Sequence, residues 1–374
     1  MGAEGALGLT ATWACINLIA GTGASLPLGV YRTAADGTRT PAKDHPLYRV
    51  LHDSPNADQT ALDFWEFMLA AVELRGNAYA EIIRGVNGAV IGLLPIMAEP
   101  MRVRRAQDGD LEYEWHDGGR RYRAEQQDIF HIRGFGGGPL GGASTLSVCR
   151  AAFTSAHVVE RAASTTFANG VRPSGILSTD AQLTKEQRDE AERLLQAKFS
   201  GAVNAGRPML LDKAMTWQQL TIDPEDAQML ESRKFSGEEI CRIFGVPPAM
   251  VGYGDKASNW GTGKEVDVMG FQKFTLRRRL KRVEQAAEKQ LLSPADRAAG
   301  VTIEFNLEGL LRADSAARAS FYQSGLQNGW ATINEVRALE NLPPVEGGWI
   351  PRMQSQNVPI TQAPAPAALP SPAP

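Results

Sequence analysis

The sequence predicts an α+β protein with more than one domain, and three observations support this prediction. Between residues 77 and 133, short apolar segments alternate with turns of the hairpin kind, such as Asn87-Gly88 and Asp108-Gly109, rather than in strict β–α–β order. After residue 144 the apolar spacing becomes that of helices. The length of 374 residues fits two or three domains, and a hydrophobic content of 43% is sufficient for a folded core.

Helices and strands are both predicted in the first 144 residues. Apolar residues at helical spacing predict one helix over 9–25, a short one around Leu47–Leu51 and another over about 60–75. Segment 26–32 is typical of a strand with its proline near the start. Further strands are predicted between turns, at 78–84, 90–95, 100–105, 111–116 and 127–133.

Helical spacing predominates in the second part of the chain. It predicts a helix over 145–168, ended by Asn169-Gly170, and a second helix over 224–244, which stops before Pro247-Pro248. Between them, 171–222 is predicted to be a compact insert of short strands and one helix, over 184–199.

The last third begins with a polar, glycine-rich loop over 252–263. We expect a long helix at 264–292, a strand at 301–305 and two helices at 313–328 and 332–341. The tail 359–374 contains six prolines among small residues, a composition typical of disorder.

Composition and charge argue against several classes of protein. With 39 Lys+Arg against 42 Asp+Glu, the chain lacks the basic character of a free-standing nucleic-acid-binding domain. It contains no run of 18 apolar residues that would predict a membrane span, and its N-terminus lacks the basic region of a secretory signal. Cys15, Cys149 and Cys241 lie far apart and form no CxxC pair, a pattern that suits a reducing cytoplasm.

Motifs for enzymatic chemistry are weak. Residues Gly136–Gly141 match the GxGxxG pattern of dinucleotide-binding turns, but no β–α–β unit surrounds them and Pro139 removes one N–H group. We interpret this segment as a flexible connection between domains. The five histidines show neither HxxxH nor HExxH spacing. The sequence therefore predicts no catalytic group, no metal and no cofactor.

The most polarised feature is segment 273–282, in which six of ten residues are basic. One interpretation is contact with DNA phosphates. The other is a solvated or inter-subunit helix face whose charges meet acids such as Glu284 and Glu288. The sequence leaves both open for Lys273, Arg277, Arg278, Lys281 and Arg282.

Several short motifs, taken in order, resemble those of the HK97-type phage portal proteins. They are ACINLIA at 14–20, SLPLGVYR at 25–32, LRGNAY at 74–79, GGASTL at 141–146, FANGVRPSG at 167–175, EICRIFGVPP at 239–248, SNW at 258–260 with Glu265, and NEVR at 334–337 with Gly347-Gly348. The resemblance spans about residues 9–350. Two departures stand out: family members usually have a few dozen more residues before the first helix, and the basic run 277–282 is heavier here.

The resemblance implies the portal-protein fold of a ring-forming subunit. Its parts would be an α+β wing (1–144), two stem helices (145–170 and 223–246), a small α/β clip (171–222), a tunnel loop with a long helix and a return to the wing (247–312), short crown helices (313–350) and a disordered Pro/Ala tail (351–374).

The resemblance also implies the function. Portal proteins form a ring of about twelve subunits at one capsid vertex, a closed cyclic assembly with heterologous interfaces. Double-stranded DNA is driven through the ring by the terminase large subunit, and the ring contacts the major capsid protein and a head–tail adaptor protein. The chain would be a part of the virion of a phage, a prophage or a gene transfer agent, assembled in the bacterial cytoplasm, without enzymatic activity or cofactor.

Two sets of site residues follow from this resemblance. The tunnel loop would face the DNA through Asp255, Lys256, Ser258, Asn259, Trp260 and Thr262. The clip would dock terminase or adaptor through Lys185, Arg188, Asp189, Glu192 and Arg193. Two alternatives stay open: a nucleotide-binding enzyme that uses Gly136–Gly141, and a monomeric DNA-binding module that uses helix 273–282.

Overall fold

The computed structural model describes residues 2–34, 37–97, 101–168, 175–179, 184–186, 189–190, 193, 215–219, 224–253, 262–307, 315–340 and 342–352. The chain divides into two compact units. The first comprises Met1–Ala24 and Ser54–Leu291, and the second comprises Ser25–Asp53 and Leu292–Pro374.

The described part of the chain contains both helices and strands, and its strand pairs are antiparallel, in agreement with the predicted α+β class. The helices are α1 (Ala3–Leu7), α2 (Thr10–Ala24), α3 (Pro46–His52), α4 (Ala61–Arg75), α5 (Thr145–Val148), α6 (Arg150–Ala168), α7 (Pro224–Phe244), α8 (Thr262–Gly270), α9 (Arg277–Leu291), α10 (Pro294–Ala298), α11 (Ser315–Asn328) and α12 (Ile333–Leu339). The strands are β1 (Leu28–Thr33), β2 (Arg39–Pro41), β3 (Asn77–Arg84), β4 (Val90–Pro95), β5 (Arg102–Arg105), β6 (Leu111–Asp117), β7 (Arg120–Glu125), β8 (Ile129–Arg133), β9 (Gly175–Thr179), β10 (Met215–Gln219) and β11 (Val301–Phe305).

Helix α4 lies at the centre of the first unit. A capping box between Thr60 and Asp63 begins it, since each side chain accepts a hydrogen bond from the other's backbone N–H. Its buried face packs against α2, and Trp65 meets Phe130 of β8 edge to face at 6.3 Å. The helix ends at Gly76 in the left-handed conformation, which agrees with the predicted helix over about 60–75.

Two antiparallel three-stranded sheets complete the core of this unit. The first has the order β4-β3-β8, with Ile82 opposite Leu93 and Ala78 opposite Ile132. The second has the order β5-β6-β7 and contributes Tyr113 to a buried cluster with Ile129. The predicted hairpin turns are confirmed, with positive φ angles at Gly88 and Gly109.

Strand β7 does not appear in the sequence prediction. Its residues, Arg120–Glu125, are almost all exposed, and among the described strands β7 lies at the edge of its sheet beside β6. An edge strand of this kind needs no apolar alternation, which is the pattern used to find strands.

The predicted helix over 145–168 is two helices. Ser144 caps α5, and Cys149 then leaves the helical conformation at φ −98° and ψ 22°. Helix α5 packs against α4, whereas α6 packs against α7. The bend at Cys149 therefore lets each segment follow its own partner.

The predicted long helix over 264–292 is also interrupted. A π-helical segment, Phe271–Leu276, separates α8 from α9. Within this segment, the Thr275 hydroxyl donates a hydrogen bond of 2.5 Å to the carbonyl oxygen of Gly245. Gly270, a residue type of low helix propensity, comes directly before the π-helical segment.

The second unit contains a sheet with the order β11-β1-β2, in which Val30 lies opposite Ile303. Helix α3 packs against β1, and Arg39 of β2 forms an ion pair of 2.7 Å with Glu304 of β11. Helix α12 begins at a capping box between Thr332 and Glu335.

Two strands of the predicted insert are described. Strands β9 and β10 pair antiparallel, with Leu177 opposite Trp217.

Across the part of the chain that the structure covers, no helix is long and apolar enough to cross a membrane.

Candidate functional site

Helices α6 and α7, the predicted stem helices, pack against each other. Their contact contains Phe153 and Phe244, both buried, with ring centroids 6.3 Å apart. Nearer the surface, the Arg233 guanidinium donates two hydrogen bonds to the Glu160 carboxylate, at 3.0 and 2.8 Å. The pair of helices is thus joined by an apolar contact at one end and an exposed ion pair farther along.

Large apolar side chains remain exposed on these two polar helices. Val158 of α6, and Leu230 and Phe235 of α7, each expose more than half of their surface. Exposed apolar groups rimmed by polar ones mark protein contact surfaces when they lie together. These three side chains are available for contact with another chain.

Helix α2 also packs against α7 and brings two cysteines together. The Sγ atoms of Cys15 and Cys241 lie 3.9 Å apart, both thiols are free, and both are buried. The hydrogen bond between them and their burial raise the pKa of the Cys15 thiol. The sequence does not reveal this contact, because 226 positions separate the two residues.

The glycine-rich loop between β8 and α5 is anchored to the sheet. The Asn77 side chain accepts a hydrogen bond from the Gly142 N–H at 2.8 Å and donates one to the Gly142 carbonyl oxygen at 3.0 Å. His131 lies 2.9 Å from the same Asn77 oxygen, and the Tyr113 hydroxyl lies 3.2 Å from the other ring nitrogen. This packed arrangement replaces the flexible connection that the sequence predicts.

His131 is neutral in this network. Burial of the ring and the charge of Arg133 lower the pKa of His131 to about 3. Its backbone also exchanges two hydrogen bonds with the side chain of Gln290 on α9, at 2.8 and 2.9 Å. The histidine is therefore a structural residue that joins the sheet, the loop and α9.

Several backbone N–H groups of this loop have partners within the protein. The N–H of Gly134 donates to Gly76, that of Gly141 donates to Gly138, and that of Ala143 donates to Phe135. A Cβ atom at Gly137 or Gly142 would overlap neighbouring backbone atoms. The glycines therefore permit close packing of backbone on backbone, which accounts for them without a bound pyrophosphate. The nucleotide-binding alternative is not favoured.

One basic residue of the segment 273–282 is buried. The Arg279 guanidinium donates hydrogen bonds of 2.7 and 2.8 Å to the two oxygens of Glu73 on α4. It also donates to the carbonyl oxygens of Thr275 and Phe244, at 3.0 and 2.9 Å. The sequence patterns do not distinguish Arg279 from the other basic residues of the segment. A signal is nevertheless present in α4, where Glu73 lies within the apolar face. Because a buried charge requires a partner, this glutamate indicates a buried cation.

The other basic residues of the segment lie in different surroundings. Lys281 pairs with Glu284 at 2.9 Å, and the Lys273 ammonium lies 5.7 Å from the centre of the Phe274 ring. Arg277 and Arg278 are exposed, and Arg282 is half-buried.

A cavity of about 470 Å³ lies where α9 meets the glycine-rich loop. We call it the arginine cavity. Its lining comprises Val72, Glu73, Gly134, Phe135, Gly136, Ala143, Thr145, Val148, Cys149, Ile243, Phe244, Arg278, Arg279 and Arg282. Burial and the charges of Arg278 and Arg279 lower the pKa of Arg282, and Glu73 opposes this shift. The lining thus contains three guanidinium groups and one carboxylate, and the cavity has an excess of positive charge.

Other predicted site residues lie mostly outside the described residues. Of the tunnel-loop set, the structure does not describe Asp255, Lys256, Ser258, Asn259 or Trp260, whereas Thr262 begins the backbone of α8. Of the clip set, Arg188 and Glu192 are likewise not described. Lys185, Asp189 and Arg193 are exposed, and Arg193 pairs with Glu190. Searched over the residues with described positions, the chain contains no cluster of His, Cys, Asp and Glu suited to a metal ion.

Comparisons with known proteins agree with the resemblance. The chain is 36% identical over 361 residues to the portal protein of Enterobacteria phage HK97, with 96% of this chain and 84% of that protein covered. It is 28% identical to the probable portal protein of Streptomyces phage phiC31, with 92% and 76% covered.

A solved structure supports the same assignment. A chain from the neck of an empty gene transfer agent particle, computed with C6 symmetry, superposes with a TM-score of 0.67 at 26% identity, and the match covers 89% of this chain and 90% of that one. The family model described as phage portal protein matches residues 10–341. The chain therefore belongs to the phage portal protein family.

Proposed function

We propose that this chain is the subunit of a closed ring of about twelve copies at one capsid vertex. The observation that carries the proposal is the match to the HK97 portal protein along 96% of this chain. The solved neighbour from the neck of a gene transfer agent particle supports the same place in a particle. In this proposal the ring is the channel through which double-stranded DNA enters and leaves.

The proposed subunit has the parts that the family resemblance implies. Residues 1–144 are the wing, 145–170 and 223–246 the stem, 171–222 the clip and 313–350 the crown. The packing of α6 against α7 supports the stem, since the two helices that the family resemblance assigns to it contact each other. The exposed Val158, Leu230 and Phe235 then contact neighbouring subunits.

The ring acts as a passive conduit, and the driving energy comes from the terminase large subunit. A wall that neutralised many phosphates would bind DNA tightly and slow its passage, because each neutralised phosphate adds salt-dependent affinity. The slightly acidic composition, 42 acidic against 39 basic residues, suits weak binding. The tunnel loop, with Lys256, Asn259 and Trp260, provides the contacts to the moving duplex.

The remaining contacts in the proposal are with other head proteins. The clip surface with Lys185, Asp189 and Arg193 docks terminase during packaging and the head–tail adaptor afterwards. The outer face of the ring meets the major capsid protein. Subunits assemble in the bacterial cytoplasm and remain in the virion.

Electron microscopy of the purified full chain tests this proposal. We expect closed rings with a central hole and a mass close to twelve times that of one chain; rings of eleven or thirteen also support the proposal. A monodisperse monomer at high protein concentration overturns it. Light scattering on the same sample checks that the rings exist in solution.

A further inference from the structure

The arginine cavity has a charge that the described chain does not balance. Arg278 and Arg282 form no ion pair with a described carboxylate, and the one lining carboxylate, Glu73, is occupied by Arg279. Arginine residues at a recess of this kind bind carboxylates or phosphates through paired N–H groups. The cavity is therefore suited to an anionic group.

The rim of the cavity is apolar. Phe135 and Val148 line it and are 76% and 72% exposed, and Phe274 lies one turn before Arg278 on the same helical run and is 70% exposed. Exposed aromatic and aliphatic groups beside arginines are typical of protein contact surfaces. A DNA backbone offers only small sugar C–H groups between its charged phosphates, whereas a protein segment can place whole apolar side chains against this rim, so the rim favours a protein segment as the occupant.

Helix α8 has the complementary character. It carries Glu265 and Asp267, neither of which forms an ion pair with another described residue, together with Val266 and Met269, which are 65% and 64% exposed. An acidic helix with uncovered apolar side chains matches a positive cavity with an apolar rim.

Within one chain, α8 does not reach the cavity. Asp267 and Arg278 lie on one helical run, Thr262–Leu291, and eleven positions separate them. At a rise of about 1.5 Å per residue, this distance is roughly 16 Å along the axis, more than the two side chains span. Their pairing therefore requires two copies of the chain.

We propose that the arginine cavity binds α8 of the neighbouring subunit, with Glu265 and Asp267 at Arg278 and Arg282. This inference rests on the proposed ring, in which each subunit meets the next through two different patches. These ion pairs would fix the orientation of one subunit relative to the next, with α8 of one subunit beside α9 of its neighbour. A charge contact of this kind is lost when either partner changes sign and is recovered when both change.

The native Cys149 offers a direct test, because it lines the cavity and is partly exposed. In the full chain, Asp267→Cys places a second thiol on α8. After mild oxidation with copper–phenanthroline we expect a ladder of covalent oligomers on a denaturing gel. The double variant Asp267→Cys with Cys149→Ser is the matched control, and the ladder must disappear in it. A ladder that persists in the control, or no ladder from intact rings, overturns the inference.

Charge reversal tests the same contact without crosslinking. Arg278→Glu with Arg282→Glu should weaken ring assembly about tenfold or more, and adding Glu265→Arg with Asp267→Arg should restore it. If these rings assemble normally but retain less DNA, the arginines contact phosphates and the inference is overturned. The absence of rings from the unaltered chain overturns both the ring and this contact, whereas rings without the Cys149-dependent ladder overturn the contact alone.

Discussion

Arg279 and Glu73 form a two-pronged ion pair in the interior of the first unit, 206 positions apart in the chain, with about a tenth of each side chain exposed. The pair joins α9 to α4, and the same guanidinium reaches the carbonyl oxygen of Phe244 at the end of α7. One side chain thus connects three helices. A buried pair of this kind is a strong constraint on packing, because either charge alone is costly in an apolar interior.

We expect Arg279→Met to lower the free energy of unfolding by about 3–5 kcal/mol, because it leaves the Glu73 carboxylate buried without its partner. Thermal or denaturant unfolding of the purified chain measures the loss. Arg233→Met is the matched control, since it breaks the exposed pair with Glu160 and should cost about 1 kcal/mol or less. Equal losses in the two variants would contradict the structural role of the buried pair.

The same pair offers a second test. The double variant Glu73→Leu with Arg279→Met removes both charges and should be more stable than Arg279→Met alone. If the double variant were no more stable than the single one, the unpaired Glu73 carboxylate would not be the cause of the loss in Arg279→Met.

The burial of His131 predicts a pH dependence of stability. Its pKa is about 3 in the folded protein and about 6.5 when unfolded, so the unfolded state binds an additional proton between these values. Stability should therefore be highest above pH 6.5 and fall by up to about 1.4 kcal/mol per pH unit as the pH decreases toward 3. Unfolding curves of the chain and of His131→Gln between pH 7 and 4 measure it. The variant should lose that part of the slope, and an unchanged slope would contradict a buried neutral histidine.

The glycine-rich loop supplies a matched pair of substitutions. A Cβ atom at Gly142 would overlap the backbone of Gly76 and Gly134, whereas one at Gly138 would meet nothing within 4 Å. We expect Gly142→Ala to cost about 1–3 kcal/mol, as overpacked sites do, and Gly138→Ala to be neutral.

A nucleotide-binding role for the glycine-rich loop predicts a different result for Gly138→Ala. If the loop bound a dinucleotide, the unaltered chain would show saturable nucleotide affinity, and Gly138→Ala would abolish it. Calorimetric titration at millimolar nucleotide should show no binding by either protein.

The tunnel loop is tested by deletion. We expect removal of residues 255–262 to leave ring assembly intact and to reduce DNA packaging, because the loop in the proposed ring contacts only the passing duplex. Ring formation is measured by electron microscopy and packaging by nuclease-protected DNA. A Gly/Ser replacement of equal length is the control for loop length. Loss of rings in both variants would make the loop a structural element.

Much of the secondary structure follows from local sequence patterns. The helix at 61–75 begins at a capping box and ends at Gly76, and the strand at 301–305 lies between clear turns. The interruption near Gly270 and the bend at Cys149 do not follow from these patterns, because both serve contacts with distant segments. Strand β7 was missed since an exposed edge strand carries no apolar signal.

The ordered motifs between residues 9 and 350 were sufficient by themselves to indicate the family, and the hairpin and helix patterns were sufficient to predict the α+β class. The tertiary structure alone decided which basic residue of the segment 273–282 is buried, what the glycines of the loop permit, and that Cys15 meets Cys241. The physical reason is the distance along the chain over which each kind of interaction acts. Caps, turns and periodicity act within a few residues, whereas a buried charge is placed by a partner 206 positions away.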